Sequence, residues 1–104
     1  MMDELSLMLE KISEVIEDRK HYPRRDSYVS SLFEKGHDQV LRKVLEEASE
    51  VLLASKNHTR AEIIYEVADL WFHTLVLLSF HEISLTEISQ ELARRFGHSG
   101  LREK

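Results

Sequence analysis

Residues 59–81 read TRAEIIYEVADLWFHTLVLLSFH and predict one long helix that is apolar around nearly its whole circumference from Leu70 onward. Thr59 followed by Glu62 predicts a capping box at its start. A helix that is apolar all round must be surrounded by other elements. Because a chain of 104 residues cannot easily surround it alone, we expect part of this surface to meet a second copy, in a homodimer or a dimer of dimers.

The segments on either side also carry helical periodicity. They predict a first helix from about Leu5 that ends before Pro23, a short helix that begins at Ser27, and a third from Asp38 to about Ser55. Ser84 and Glu87 predict a capping box on a last helix. Since no run of useful length has strand periodicity, we expect an all-α fold. It would be a bundle of four to five helices, one domain over residues 1–104, completed by homodimerisation.

The ends of two predicted helices carry glycine. Gly36 follows the short helix, and Gly97 follows the last one. Glycine commonly ends a helix because it adopts left-handed backbone angles without steric cost. We therefore expect a chain reversal at Lys35 and Gly36, and the end of the last helix at Gly97, with a short polar tail after it.

Composition excludes several classes of protein. A net charge of -5 gives no overall attraction for nucleic acid, and no cysteine is present to form disulfides or thiolate metal sites. The amino terminus is acidic where a secretory signal would be basic. The most apolar run, residues 70–80, is shorter than the roughly 20 residues of a membrane span. We therefore expect a cytoplasmic protein that binds neither nucleic acid nor membranes.

Two pairs of acidic residues on neighbouring predicted helices suggest a metal site. Glu47 and Glu50 form one pair, Glu66 and Asp69 the other, each three residues apart and so on one side of its helix. Two antiparallel helices could then present all four carboxylates to one point. Oxygen donors without cysteine favour a hard cation, Mg²⁺ or Mn²⁺, which would also take water and phosphate oxygens as ligands.

An ordinary solvated helix face is the alternative explanation for each pair. Against it, Glu66, Asp69 and His73 form one narrow polar strip on an otherwise apolar helix, where a carboxylate is costly to bury unless paired or metal-bound. We interpret His73 as a hydrogen-bonded interior group and not as a ligand. Lys43, one turn before Glu47, could pair with that carboxylate or meet a phosphate.

The spacing of these acids resembles a known signature. Glu46-Glu47-x-x-Glu50, fifteen further residues, and Glu66-x-x-Asp69 are similar to the motif of the all-α nucleoside triphosphate pyrophosphohydrolase superfamily, which includes MazG-like house-cleaning enzymes. Additional segments resemble the phosphoribosyl-ATP pyrophosphatase family of histidine biosynthesis. They are SYV at 27–29, LFEKG at 32–36, KVLEEASE at 43–50, EVADL at 66–70 with His73, and RFGHSG at 95–100.

The resemblance implies hydrolysis of phosphoribosyl-ATP, a nucleotide substrate, to phosphoribosyl-AMP and pyrophosphate. It implies that the metal ligands are Glu47, Glu50, Glu66 and Asp69, that the catalytic residues are Glu46, Glu47 and Glu50, and that the substrate-binding residues are Tyr28, Lys35 and Lys43. Glu46 would orient water, although a plain surface charge is an equal interpretation. Leu45 stands where the family usually has glycine, and Ser49 where it commonly has alanine.

Three alternatives remain at this stage. A house-cleaning enzyme for noncanonical nucleoside triphosphates shares the carboxylate motif. A helical dimerisation module would need no metal at all. A redox di-iron bundle is disfavoured, because such sites use Glu-x-x-His pairs and neither pair here has histidine in second place.

Overall fold

The computed structural model describes residues 3–97, which form five helices and no β-strand. The helices are α1 (Glu4–His21), α2 (Tyr28–Lys35), α3 (His37–Lys56), α4 (Arg60–Phe80) and α5 (Leu85–Phe96). The predicted all-α class is therefore confirmed. Residues 98–100 of the RFGHSG segment lie outside the described part of the chain.

Two of the predicted helix starts are capped as expected. The Ser27 side chain accepts a hydrogen bond from the Ser30 backbone N–H at 3.1 Å, which opens α2. Ser84 and Glu87 form the predicted capping box on α5. Both caps satisfy N–H groups that the first turn of a helix leaves without a partner.

The glycines end helices as predicted. Gly36 has φ 101° and ends α2, and Gly97 has φ 57° and ends α5. Gly36 is also the residue from which α3 starts, so a single residue joins the two helices.

Two other capping predictions are wrong. Because Gly36 turns the chain early, α3 already begins at His37, and Asp38 lies in its first turn instead of capping it. Thr59 is the N-cap residue of α4, but its side chain caps no N–H, so the expected box with Glu62 does not form. The Thr59 hydroxyl is directed instead toward the Asn57 carbonyl at 3.5 Å.

The α3–α4 hairpin is the centre of the fold. A short loop joins the two helices, which pack against each other along their length, while α1 packs on α4 and α2, and α2 also packs on α3. The main cluster of buried hydrophobic residues in the described part of the chain is small and is drawn from all four of these helices: Ile16, Val29, Leu32, Val40, Leu75 and Val76. Helix α4 thus contributes the centre of the core, as its sequence predicts.

A lysine on α1 fastens that helix to the end of α4. Lys20 Nζ donates to the Ser79 carbonyl at 2.6 Å, and the Ser79 hydroxyl donates to the Glu17 carboxylate. Ser79 is buried, so these bonds lie in partly shielded surroundings where they are stronger than in water.

Helix α4 is long and apolar enough to cross a membrane by length and composition alone. Core helices of soluble proteins share that property. Within α4, His73 is buried and hydrogen-bonded to Tyr28 of α2, so this helix packs inside the bundle.

Candidate metal centre

Three acidic side chains meet midway along the α3–α4 hairpin. Glu47 of α3 lies opposite Glu66 and Asp69 of α4, and one carboxylate oxygen from each lies within 4.8 Å of the others. Glu47 and Asp69 are equally distant along the chain from His58 in the connecting loop, so antiparallel packing brings them to the same level. We call these three residues the carboxylate cluster.

Glu47 is the buried member of the cluster. Its side chain is only 8% exposed, whereas that of Asp69 is 34% exposed. The pKa of Glu47 is raised to about 7, first by its hydrogen bond to Asp69, then by burial and by the charge of Asp69. The charge of Glu66 acts in the same direction, and Lys43 opposes it.

Crowded carboxylates of this kind suit a divalent cation. Without a cation, the proton shared with Asp69 relieves part of the repulsion that raises the pKa of Glu47. A hard cation would remove that repulsion more fully, and three carboxylates with no sulfur donor match its ligand preference. The geometry of the described residues therefore fits a metal ion, with other coordination positions left to water or phosphate.

Glu50, predicted as the fourth ligand, is not part of the cluster. Three residues turn a helix through about 300°, so Glu50 lies about 60° around α3 from Glu47. Its residue is exposed to solvent, while Glu47 is buried. The structure thus brings together three of the four carboxylates that the sequence predicts as ligands.

Lys43 lies at the edge of the cluster. Its Nζ is 3.6 Å from a carboxylate oxygen of Glu47 and 3.8 Å from one of Glu46. Burial lowers the pKa of Lys43, but the neighbouring Tyr28 and the two carboxylates outweigh it and raise that pKa overall. Lys43 therefore stays cationic beside the site, where it can meet a negatively charged ligand. Glu46 is exposed on the same side of α3.

Tyr28 is held beside the cluster by His73. The Tyr28 hydroxyl is 2.9 Å from His73 Nε2, and His73 Nδ1 is 2.9 Å from the Asp69 carbonyl. A carbonyl only accepts, so Nδ1 carries the proton, and Nε2 of the neutral ring accepts from the Tyr28 hydroxyl. The phenol oxygen of Tyr28 can still accept a hydrogen bond from a ligand. Tyr28 as a whole is 51% exposed.

The interpretation of His73 as a satisfied interior group is confirmed, because its residue is 2% exposed and both ring nitrogens have partners. Its link to Tyr28 could not be predicted, since the two residues are 45 positions apart and no periodicity connects them. Lys35 is the exposed last residue of α2, and no ion pair joins it to the cluster within residues 3–97.

The helical bundle and the carboxylate cluster define a small all-α protein with a candidate divalent-cation site between two antiparallel helices. Comparison with known proteins narrows this class. The chain belongs to the phosphoribosyl-ATP pyrophosphohydrolase family, whose model matches residues 9–96. The resemblance inferred from the sequence is thereby confirmed.

Individual relatives agree along nearly their whole length. A phosphoribosyl-ATP pyrophosphatase of Ruthia magnifica is 55% identical over 93% of this chain and 92% of its own. One from Vesicomyosocius okutanii is 53% identical over 99% and 95%, and one from Geobacter sulfurreducens is 52% identical over the same shares. The matched region includes all of α3 and α4, and with them the carboxylate cluster.

Proposed function

We propose that this chain hydrolyses phosphoribosyl-ATP to phosphoribosyl-AMP and pyrophosphate, the second step of L-histidine biosynthesis, with Mg²⁺ at the carboxylate cluster. Family membership supports the reaction, and the names of the relatives support the substrate. The observation that carries the chemistry is the meeting of Glu47, Glu66 and Asp69 within 4.8 Å. A phosphoanhydride is highly charged, so its hydrolysis calls for a cation at the reacting phosphates.

The carboxylate cluster holds the metal in this proposal. When bound, Mg²⁺ offsets phosphate charge and lowers the pKa of a coordinated water, and Mn²⁺ could do the same. Glu50 completes the ligand set from its exposed position one turn along α3 from Glu47. Glu46, beside Glu47, orients the attacking water, so that Glu46, Glu47 and Glu50 form the catalytic set.

The substrate is held from two sides. Lys43 lies near the carboxylates of Glu46 and Glu47 and can replace its ion pair with one of them by an ion pair with a phosphate oxygen. Tyr28 is half exposed, and its phenol oxygen is fixed by His73, which suits contact with a base or ribose. Lys35, at the exposed end of α2, adds a second cation for the phosphates. The enzyme is cytoplasmic in this proposal, in keeping with its lack of cysteine.

A homodimer is the second part of the proposal. The spacing of Leu41, Leu45 and Leu52 puts them on one face of α3, and each is at least 42% exposed. On α4, Ile64, Tyr65 and Trp71 are exposed by 61%, 68% and 45%. Apolar surface of this extent on the central hairpin is typical of a protein–protein interface, and a second copy would cover it.

Pyrophosphate release from phosphoribosyl-ATP, with and without Mg²⁺, tests the proposed reaction. Asp69→Asn should lower turnover at least roughly 100-fold, because a metal ligand worth several kcal/mol of charge stabilisation is lost. Glu62→Gln, an exposed change on the same helix, serves as the control and should stay near wild-type. Unchanged turnover in Asp69→Asn would refute the metal assignment.

A panel of nucleoside triphosphates assayed beside phosphoribosyl-ATP tests the substrate. Faster hydrolysis of noncanonical nucleotides would replace the proposal with a house-cleaning activity. If no substrate is hydrolysed at any Mg²⁺ concentration, the dimerisation module becomes the better explanation.

A further inference from the structure

Two histidines meet at the end of the α3–α4 hairpin that is far from its connecting loop. His37 is the first residue of α3, and His81 is the C-cap residue of α4. Their Nε2 atoms are 3.0 Å apart, and the rings lie nearly perpendicular, with an interplanar angle of 81°. We call these two residues the histidine pair.

The separation of the two nitrogens is close to that of two ligands on one metal ion. With metal–nitrogen bonds of about 2.0–2.1 Å in tetrahedral geometry, two nitrogens bound to one zinc lie about 3.3 Å apart. The 3.0 Å contact is a hydrogen bond in which one Nε2 carries the proton, so a bound ion would take the place of that proton with only a few tenths of an ångström of opening. Side-chain rotation can supply such a change without moving either helix.

The surroundings prepare His37 to act as a ligand. Its ring packs against the Phe80 ring at 5.7 Å, and Phe80 in turn packs on Phe33 at 4.8 Å, which limits how the imidazole can turn. The Asp38 carboxylate is 3.8 Å from His37 Nδ1. At that distance the carboxylate makes no hydrogen bond to the ring, but its negative charge favours a cation bound nearby.

The pair is also open to a hydrated ion. His81 is exposed and the His37 side chain is 41% exposed, so water can fill the remaining coordination positions. His81 stands at the C-terminal end of α4, where the helix dipole favours a positive charge. His37 lies at the N-terminal end of α3, where the helix dipole disfavours a positive charge. The imidazole nitrogens must therefore supply most of the binding.

The two cation sites on the hairpin would differ in chemistry. Imidazole nitrogen suits Zn²⁺, Ni²⁺ and Cu²⁺, whereas carboxylate oxygen suits Mg²⁺. Glu47 lies ten residues along α3 from His37, or about 15 Å along the helix axis. An ion at one site therefore has no ligand in common with an ion at the other.

We propose that His37 and His81 form a second cation site, for an imidazole-preferring transition ion such as Zn²⁺, which clamps the start of α3 to the end of α4. An ion bound there joins two residues 44 positions apart in sequence. Since that arrangement exists only in the folded chain, binding stabilises the fold that holds the carboxylate cluster.

Calorimetric titration of the metal-free protein with ZnCl₂, in millimolar MgCl₂ to occupy the carboxylates, tests the site. We expect one Zn²⁺ per chain at the pair, with affinity at least tenfold weaker in His37→Ala and in His81→Ala. The double variant should lose no more than either single one, because each change already breaks the chelate. His58→Asn is the matched control, since His58 lies in the loop at the opposite end of the hairpin and asparagine tolerates its positive φ of 56°.

Two further measurements keep the test independent of folding and of the carboxylates. His37→Gln and His81→Gln keep side-chain bulk, and circular dichroism checks that each variant retains its helices. Zinc should shift the imidazole Nε2 resonances of both histidines in NMR spectra, and it should do so equally in Asp69→Asn. Wild-type zinc affinity in the His37 and His81 variants, or no shift at either Nε2, would overturn the proposal.

Discussion

Glu47 shows how one residue can be costly to the fold and useful to the site. Its carboxyl group is buried between two helices and faces two further acids, so its pKa is raised to about 7. The folded chain therefore holds a proton on Glu47 at pH values where the unfolded chain has already released it. By linkage, that proton favours the folded state below the folded pKa, and the advantage is lost as pH rises.

The first prediction concerns the stability of the metal-free protein. Between pH 5 and pH 8 in a chelator, the free energy of unfolding should fall, because Glu47 must ionise beside Asp69 and Glu66. Glu47→Gln should flatten this dependence, and Mg²⁺ should reverse it by favouring the ionised cluster. Urea denaturation at several pH values measures all three effects, and a stability that rises with pH without metal would contradict the assignment.

The second prediction concerns the bond between Tyr28 and His73. Tyr28→Phe removes the donor and leaves His73 Nε2 without this partner in a buried position, which should cost about 1–3 kcal/mol of stability. Tyr65→Phe is the control: it removes a phenol hydroxyl from a residue that is 68% exposed, and should change stability by less than about 0.5 kcal/mol. Chemical denaturation compares the two, and equal effects would mean that the bond is not formed in solution.

At this scale the sequence predicts residue types better than their placement. Glu47, Glu66 and Asp69 converge as their helical spacing indicates. Glu50 has the same spacing from Glu47 as Asp69 has from Glu66, yet it faces solvent. Spacing fixes the angle between two side chains around one helix. Which of the two faces the neighbouring helix depends on how the helices pack against each other.

At the scale of the helix, the local backbone turn decides which residue caps each end. Ser84 and Ser27 cap as their motifs predict, because each is itself extended, with ψ of 160° and 127°, and its side chain reaches a first-turn N–H. Asp38 fails as a cap because Gly36 ends α2 and starts α3 at once. Thr59 fails because its hydroxyl is directed back toward the loop. A capping motif in sequence therefore marks a helix start, but it does not establish the bond.

The third prediction compares these two caps. Ser84→Ala should destabilise α5 by about 1 kcal/mol, because the capping bond to the Glu87 N–H is lost. Thr59→Ala, at a position whose side chain caps nothing, should have a clearly smaller effect on α4. Since α5 has no fully buried residue, hydrogen exchange of its amides is the measurement of choice. For each variant, the measured quantity is the increase in amide exchange over wild type in the helix concerned. A larger increase in α4 of Thr59→Ala than in α5 of Ser84→Ala would contradict this view.

At the scale of the whole molecule, the enclosed core is small for the apolar content of the chain. Among residues 3–97 only seven hydrophobic residues are buried, the six of the core cluster and Ala54, while leucines on α3 and aromatic residues on α4 remain exposed. The all-round apolar pattern of α4 indicates this excess, because one chain of this size lacks the elements to cover it. The sequence pattern of apolar residues cannot say which exposed helix faces meet a second copy, since that depends on how two folded surfaces fit together.

The fourth prediction tests the proposed homodimer. Leu45→Glu places a charge on the exposed α3 face and should weaken self-association by at least tenfold, because a buried unpaired charge is costly. Gln90→Glu, which adds the same charge at an exposed position of α5, is the control. Sedimentation velocity at micromolar concentration distinguishes them, and a wild-type protein that sediments only as a monomer would refute the dimer.

The equal distances of Glu47 and Asp69 from the α3–α4 loop have a consequence for how this chain can change in length. Deleting one residue between Glu47 and the loop would turn that carboxylate through about 100° and shift it about 1.5 Å along the axis, away from its partners. An insertion within residues 57–59 would leave both helices in phase. Natural variation in length should therefore gather in that loop, and a single-residue deletion between Glu47 and the loop should dismantle the site and turn Val40 out of the core with it.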